Sequence, residues 1–430
     1  MSIRSNMPSI VAWVGLDWAD KRHEVRLIPA GSTQSEALQL EQKPEALQNW
    51  VAELRRRFPQ DHIAVALEQS RGPVLYALMD YDFLVLYPVP PKSLAKYRQA
   101  FHPSGSKSDP GDADLLLDMV RTHRDRLHPW LPDDPLTRQL RLMVEYRRKL
   151  VGDRIQITNR LTALLKQYFP QALELAGPLE KPFICEFLCR WPSLPDLKRA
   201  TSSEIREFDE TYGARRSPTL ADRFEEIQSA LPLTSDSAIT QASILMAQTT
   251  VAQLRTLLSS VAQFNQVIQG LFGEHPDHNL FYCLPGAGDV LAPRLLVAFG
   301  SDRSRYQDAD EVERFTGIAP VVERSGKACW IHSRMACPKF LRQPFHEFSA
   351  YSRFWSPWAQ AYYQQARLRG TDHHAAVRSL AFKWIRILYR CWKNRTLYDE
   401  AFYQRALQRR GSPLAHSIGL YPVRSDGGKG

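Results

Sequence analysis

Four acidic residues in the first third of the chain have the types and spacing that metal-dependent phosphoryl transfer requires. Asp17 closes the β-rich run "SIVAWVGLDW", Glu68 closes "HIAVALEQS", and Asp109 and Asp112 stand three apart in "GSKSDPGDAD". An i, i+3 pair shares one helix face, and a carboxylate that ends a buried-type strand such as "IAVAL" has no packing reason to sit there. Four carboxylates gathered at one sheet edge would repel and raise one another's pKa values. Divalent cations remove that cost: two Mg²⁺ ions about 3.5–4 Å apart can activate an attacking oxygen and stabilise a leaving one during displacement at phosphorus. Singly, each acid has a structural reading as well, since Asp109 and Asp112 suit a helix N-terminus by capping and dipole, and Asp17 precedes a turn. As a set, in this order on strands and helices, they favour catalysis.

The elements that must carry these acids follow from hydrophobic spacing. "SIVAWVGLDW" and "HEVRLIPA" predict two strands joined through "ADK". "PEALQNWVAELRRRF" has helical spacing with Leu47, Trp50, Val51 and Leu54 on one side, "HIAVAL" and "FLVLYPV" read as strands, and "GPVLYALMDYD" as a helix. "SDPGDADLLLDMVRTH" is a helix capped by Ser108 or Asp109. This makes residues 1–130 a mixed α/β domain. Residues 136–169 predict one long basic helix whose Leu140, Met143, Val144, Leu150, Val151, Ile155, Leu161 and Leu165 roughly follow coiled-coil spacing. Such a seam is expected to pair with another chain, packing against the helical residues 220–270 being the alternative. The linker region is set at 131–275, a helical and basic C-terminal domain at 276–400, and a loose tail at 401–430.

Composition narrows the partners. The excess of 56 Lys+Arg over 46 Asp+Glu, net +10, favours an anionic one. In "VRSLAFKWIRILYRCWKNR" cations interleave with Trp and Tyr, the combination that neutralises a nucleic-acid backbone and stacks bases; a solvated helix face over an aromatic core is the competing reading. No apolar run approaches the roughly 18 residues of a spanning helix, and the N-terminus lacks a signal peptide's apolar centre, so the expectation is a cytoplasmic protein with no membrane partner. The six cysteines are scattered, which argues for reduced thiols; Cys329, His332, Cys337 and His346 match no standard zinc spacing. In "LPGAGDVLAPRLL", Gly286 and Gly288 permit a tight turn between helices, and its amides with the following helix N-terminus suit a phosphate; a plain glycine-rich connection is the alternative.

"VGLDWADKRHEVRLI", "ALEQSRGPVLYAL" and "SKSDPGDADLL" resemble the three motif blocks of the DEDD transposases of bacterial insertion sequences, relatives of the pilin-gene-inverting recombinases. "LPGAGDVLAPRLLVAFGSDRSRYQDADEVERFTGIAPVVERSGK" resembles that family's C-terminal block. The likeness covers about residues 11–130 and 280–395 in the right order. It implies a ribonuclease-H-like (RuvC-like) catalytic domain, a helical coiled-coil linker and a helical C-terminal transposase domain. It further implies a metal-binding tetrad at Asp17, Glu68, Asp109 and Asp112, and a nucleophilic serine at Ser325; Arg324 and Lys327 beside that serine suit a phosphate by their charge. The implied partners are donor and target DNA, a guide (bridge) RNA and further copies of the chain, as a homodimer assembling to a tetramer at the bacterial nucleoid. After "SGK" the chain departs from the family's Gly-bearing basic loop and reads "ACWIHSRMACPKFLRQPF". Two other functions fit the residues: a structure-selective nuclease using the tetrad alone, and a catalytically silent nucleic-acid-binding protein in which the acids are caps.

Overall fold

The acids that end "VGLD" and "VALE" are carried by neighbouring strands in the computed structural model, which describes residues 9–68, 72–101, 108–213, 218–326, 328–335 and 337–419. The chain divides into two units, Met1–Pro132 and Asp133–Gly430.

In the first unit the elements run β1 (Ile10–Asp17), β2 (Arg22–Pro29), β3 (Glu36–Glu41), α1 (Pro44–Arg57), β4 (His62–Leu67), α2 (Pro73–Leu78), β5 (Leu84–Pro88), α3 (Pro91–Phe101) and α4 (Asp109–Thr122). The strands form one sheet in the order β3-β2-β1-β4-β5. β2 is antiparallel to β1 and β3, while β1, β4 and β5 are parallel. Side chains alternate across a strand, and the two faces of this sheet differ in size. Val14, Leu16, Val65 and Leu67 point to a large-residue layer with Trp50 and Leu54 of α1 and Val74 and Leu78 of α2. The opposite face offers Gly15, Ala64 and Ala66, against which α3 and α4 bring Leu94, Leu116 and Val120. A Cβ on Gly15 would lie 2.1 Å from the Ala113 carbonyl oxygen and 2.4 Å from the Leu117 nitrogen. Only glycine lets the helix approach the strand backbone so closely.

In the second unit, α5 (Pro135–Tyr168) precedes five short helices, α6 to α10, over 171–229, and then α11 (Ser237–Glu274). There follow α12 (His278–Tyr282), α13 (Gly288–Phe299), α14 (Ala309–Thr316), β6 (Val321–Ser325), β7 (Ala328–His332), α15 (Lys339–Ser352), α16 (Pro357–Leu368), α17 (His373–Asn394), α18 (Glu400–Arg409) and α19 (Pro413–Ser417). α5 and α11 lie along one another and serve two cores. Leu140 and Val144 join Ile268 and Phe272 in a C-terminal core that also holds Phe299, Trp384 and Trp392. Leu161 and Leu165 join Ala247, Val251 and Leu254 in a second core with Phe169, Phe187 and Trp191. The pairing is therefore antiparallel, and between Val144 and Leu161 no residue of α5 is fully buried.

Three expectations change. The seam of α5 packs against α11 within the chain, leaving Leu150 half-buried and Ile155 49% exposed. Residues 133–275 fall in one unit with the C-terminal helices: the start of α5 and the end of α11 give Leu140, Val144, Ile268 and Phe272 to the C-terminal core, while residues 161–254 build a core of their own. The tail is not loose as far as Gly419: Leu407, Leu414 and Ala415 are buried in that core. Among the described residues no helix is long and apolar enough to cross a membrane.

Candidate active site

Asp17 is the last residue of β1, and Glu68 is the first residue beyond β4. Leu16 pairs with Leu67 in the parallel register, so the two acids follow at the C-terminal ends of adjacent strands. By alternation Asp17 shares its face with Gly15, the face on which α4 packs; Glu68 stands two residues beyond Ala66 of that same face. Asp17 is 5% exposed, and Asp112, in the first turn of α4, is 1% exposed. Ser108 caps α4, its hydroxyl accepting the Gly111 N–H at 3.3 Å. Asp109, the first helical residue, is exposed. The glycine and alanines of the sheet are thus what allow a helix bearing a buried acid to sit over the ends of β1 and β4.

Asp112 does not stand alone. Arg98 of α3 donates to its Oδ1 from Nε at 2.7 Å and from Nη2 at 2.5 Å, and Tyr97 donates to Asp118 at 2.5 Å, tying α3 to α4. Asp112 Oδ2 is buried with no hydrogen-bond partner among the described residues. Among the described residues no three His, Cys, Asp or Glu side chains come close enough together to hold a metal ion. The expected convergence of four carboxylates therefore takes a looser form: two acids at adjacent strand ends, a third on α4 compensated by an arginine, and Asp109 toward solvent. A guanidinium supplies the positive charge that keeps a buried carboxylate tolerable. Asp112 Oδ2 nonetheless fits a hard divalent cation by its chemistry, as a buried carboxylate oxygen with no partner among the described residues, the ligand type such ions take.

The Arg98 pair has a direct test. Arg98→Met leaves the Asp112 charge buried and unpaired, and should lower the stability of the chain by about 3–5 kcal/mol in denaturant unfolding. Added Mg²⁺ should recover part of the loss. An unchanged midpoint would show that the pair does not hold Asp112.

Two positioning residues are not apparent in the sequence. Arg98 is one, separated from its partner by a stretch of which 102–107 lies outside the described residues. The other is His23, fully buried on β2. Its Nδ1 accepts the Ala19 N–H at 3.2 Å and its Nε2 donates to Gln42 Oε1 at 2.6 Å, fixing the turn that directly follows Asp17. Burial holds its imidazole below the ordinary pKa, opposed by the Gln42 bond, in keeping with a neutral ring using one nitrogen in each role. A histidine at the start of a strand is the only signal the sequence offers.

In the second unit Ser325 ends β6 opposite Ala328 of β7, and Arg324 pairs with Cys329. These strands were not anticipated, because they carry no buried face: the described residues from Val322 to His332 are all exposed, Trp330 by 50% and Ile331 by 70%. Gly326 turns the ribbon at φ +56°; Lys327 lies outside the described residues. A lone two-stranded ribbon is marginal in water, so Ser325 is presented at the tip of an arm and not packed into a wall. Gly286 (φ +78°) and Gly288 (φ +52°) make the turn between α12 and α13 as expected. A Cβ at Gly286 would lie 2.6 Å from the Trp355 ring, whereas Gly288 has open space. Gly286 thus serves helix packing as well as the turn, and only Gly288 leaves room for a ligand.

Residues 14–170, which contain all four acids, match a DEDD transposase model of the IS110 type, described as a transposase. Residues 278–364, which contain Ser325, match the transposase IS116/IS110/IS902 family. The transposase candidate of the IS117 mini-circle of Streptomyces coelicolor is 26% identical over 418 residues, 94% of this chain and 98% of that one. The 44.8 kDa protein of insertion element IS116 of Streptomyces clavuligerus is 25% identical over 399 residues, 90% of this chain and 96% of that one. The 43.6 kDa protein of IS110 of Streptomyces coelicolor is 26% identical over 307 residues, 69% and 73%. With both characteristic domains present in order, this chain belongs to the IS110-type family of DEDD transposases of bacterial insertion sequences.

Proposed function

We propose that the protein is an RNA-guided DNA transposase that cuts and rejoins strands through a phosphoserine diester, using a ribonuclease-H-like first domain. Asp17, Glu68, Asp109 and Asp112 would hold Mg²⁺, which supplies charge neutralisation at phosphorus and lowers the pKa of a bound hydroxyl. The observation that supports this best is the buried, unsatisfied Oδ2 of Asp112 on a helix seated over the ends of β1 and β4. In the reaction, the Ser325 Oγ–P bond forms as the P–O bond to the departing strand breaks; the seryl proton passes to solvent and the departing oxygen takes one up. Rejoining reverses these changes, so the diester stores the broken linkage and no nucleotide cofactor is needed. The chain carries no G-x-x-x-x-G-K-[ST] phosphate loop that would bring one. Ser325 and the acids belong to different units, which makes chemistry conditional on bringing them together, in one chain or between copies in a dimer or tetramer. Half-exposed Leu150 and Ile155 on α5 are the apolar positions left for such pairing.

The test is recombination by purified protein carrying its co-purified RNA, with donor and target DNA. Joined products should form with Mg²⁺, vanish with chelator, and vanish again after ribonuclease treatment. Products that survive ribonuclease would remove the guide; products that survive the chelator would remove the metal.

A further inference from the structure

An open cavity of about 530 Å³ in the second unit lies at the base of the β6–β7 ribbon, with Pro320 and Ser333, the residues flanking the two strands, in its wall. Arg148, Arg334, Lys339, Arg342 and Arg378 also line it. Among the described residues, three of these cations donate to neutral oxygens. Arg334 Nε donates to the Ala319 carbonyl at 3.3 Å, Arg342 Nη1 to the Arg334 carbonyl at 3.1 Å, and Arg378 Nη1 to Ser333 Oγ at 3.2 Å. Among the described residues none of those three, nor Lys339, forms an ion pair. The one acid in the wall, Glu347, is already engaged by Arg294 and by Gln343, each at 2.5 Å. The wall therefore concentrates positive charge without internal compensation. His346, also in the wall, is held below its ordinary pKa by burial first and then by neighbouring His374 and Arg378, as a positive field requires.

We infer that this cavity binds a backbone phosphate of the DNA strand that Ser325 attacks. Among the described residues no Phe, Tyr or Trp lines it, and its concentration of cations favours recognition of the phosphodiester. The inference rests on the reading of Ser325 as nucleophile for its spacing alone. Ser325 lies five residues beyond Pro320 of the cavity wall, roughly 17 Å of strand, which is the rise of about five base pairs at ~3.4 Å each. The ribbon would then measure a fixed interval from an anchored phosphate to the cleaved one.

The test uses full-length protein and labelled DNA and RNA oligonucleotides of the same sequence. The double variant Lys339→Gln/Arg378→Gln should weaken DNA binding roughly 10-fold or more and reduce the slope of log affinity against log salt by about 2. A control pair on α18 and its exit, Arg409→Gln/Arg410→Gln, should change affinity less than 3-fold by the roughly one-phosphate scale of a rim contact. A scan replacing single DNA phosphates by neutral methylphosphonates should then find one or two positions that weaken wild-type binding and no longer weaken binding by the cavity variant. Equal losses in both proteins at every position, a loss confined to the RNA probe, or equal effects of cavity and control variants would each overturn the inference. The binding readout needs no cleavage, so it separates a failed cavity from a failed nucleophile. Unchanged thermal unfolding of the variant, with Lys339→Arg/Arg378→Lys restoring affinity, excludes misfolding as the cause.

Discussion

Ser325→Ala should bind guide RNA and DNA with wild-type affinity and yield no covalent protein–DNA adduct, whereas the wild-type protein with Mg²⁺ yields an adduct that survives denaturing electrophoresis. The fold has no stake in the hydroxyl, because Ser325 is exposed at the end of β6 and among the described residues no hydrogen bond depends on its Oγ. The expected loss is complete and not graded, since alanine has no atom with which to form the phosphodiester. A serine hydroxyl attacks slowly at neutral pH unless it is deprotonated or oriented, so an adduct should also require the acids of the first unit. An undiminished adduct with Ser325→Ala would place the nucleophile elsewhere. Cleavage by the wild type without any adduct would favour a hydrolytic nuclease that uses the acids alone.

Asp17→Asn and Glu68→Gln should each lower strand cleavage by about 10²–10³-fold or more, the scale for removing a group that stabilises charge in the transition state, while leaving nucleic-acid binding in place. Both replacements keep the size of the side chain, so the packing of β1 and β4 beneath α4 survives. Asp112→Asn should have the same kinetic effect with a distinct physical signature, because it also releases Arg98 from its carboxylate partner. Full recombination by Glu68→Gln would remove the two-metal mechanism. Asp109→Asn is the informative contrast: that acid is exposed at the start of α4, and a smaller loss there would rank it below the other three.

The sequence made the sheet legible where burial imposes a pattern. "AWVGLD" and "IAVAL" read as strands, the second of a buried type, and an acid at the end of each is conspicuous against them; that the two pair in parallel emerges only in the structure. The small residues Gly15, Ala64 and Ala66 mark the face on which a helix comes close, although their meaning emerges only with α4 in place. β3, "EALQLE", escaped notice because an edge strand with one buried residue, Leu40, has no apolar alternation to display. β6 and β7 escaped for the same reason in stronger form. Arg98 and His23 were invisible because their roles lie in partners across turns, not in their own neighbourhoods. The long helix was placed correctly, yet its seam could not say whether its partner was another chain or α11; a spacing of apolar residues records that a face is covered and not by what.

The two cores of the second unit share α5 and α11 as common spars. From Val144 to Leu161 the span is roughly 25 Å at ~1.5 Å per residue. Adding a single residue to one spar there would rotate everything beyond it by about 100° and face its apolar side away from its neighbour. Adding seven residues to both spars at matching heights would instead return each face to within about 20° and lengthen the separation by roughly 10 Å. The interval between the cores can therefore grow or shrink only in paired steps that restore both faces, of seven or of eleven residues, which makes it a discrete dimension of the protein instead of a freely drifting one.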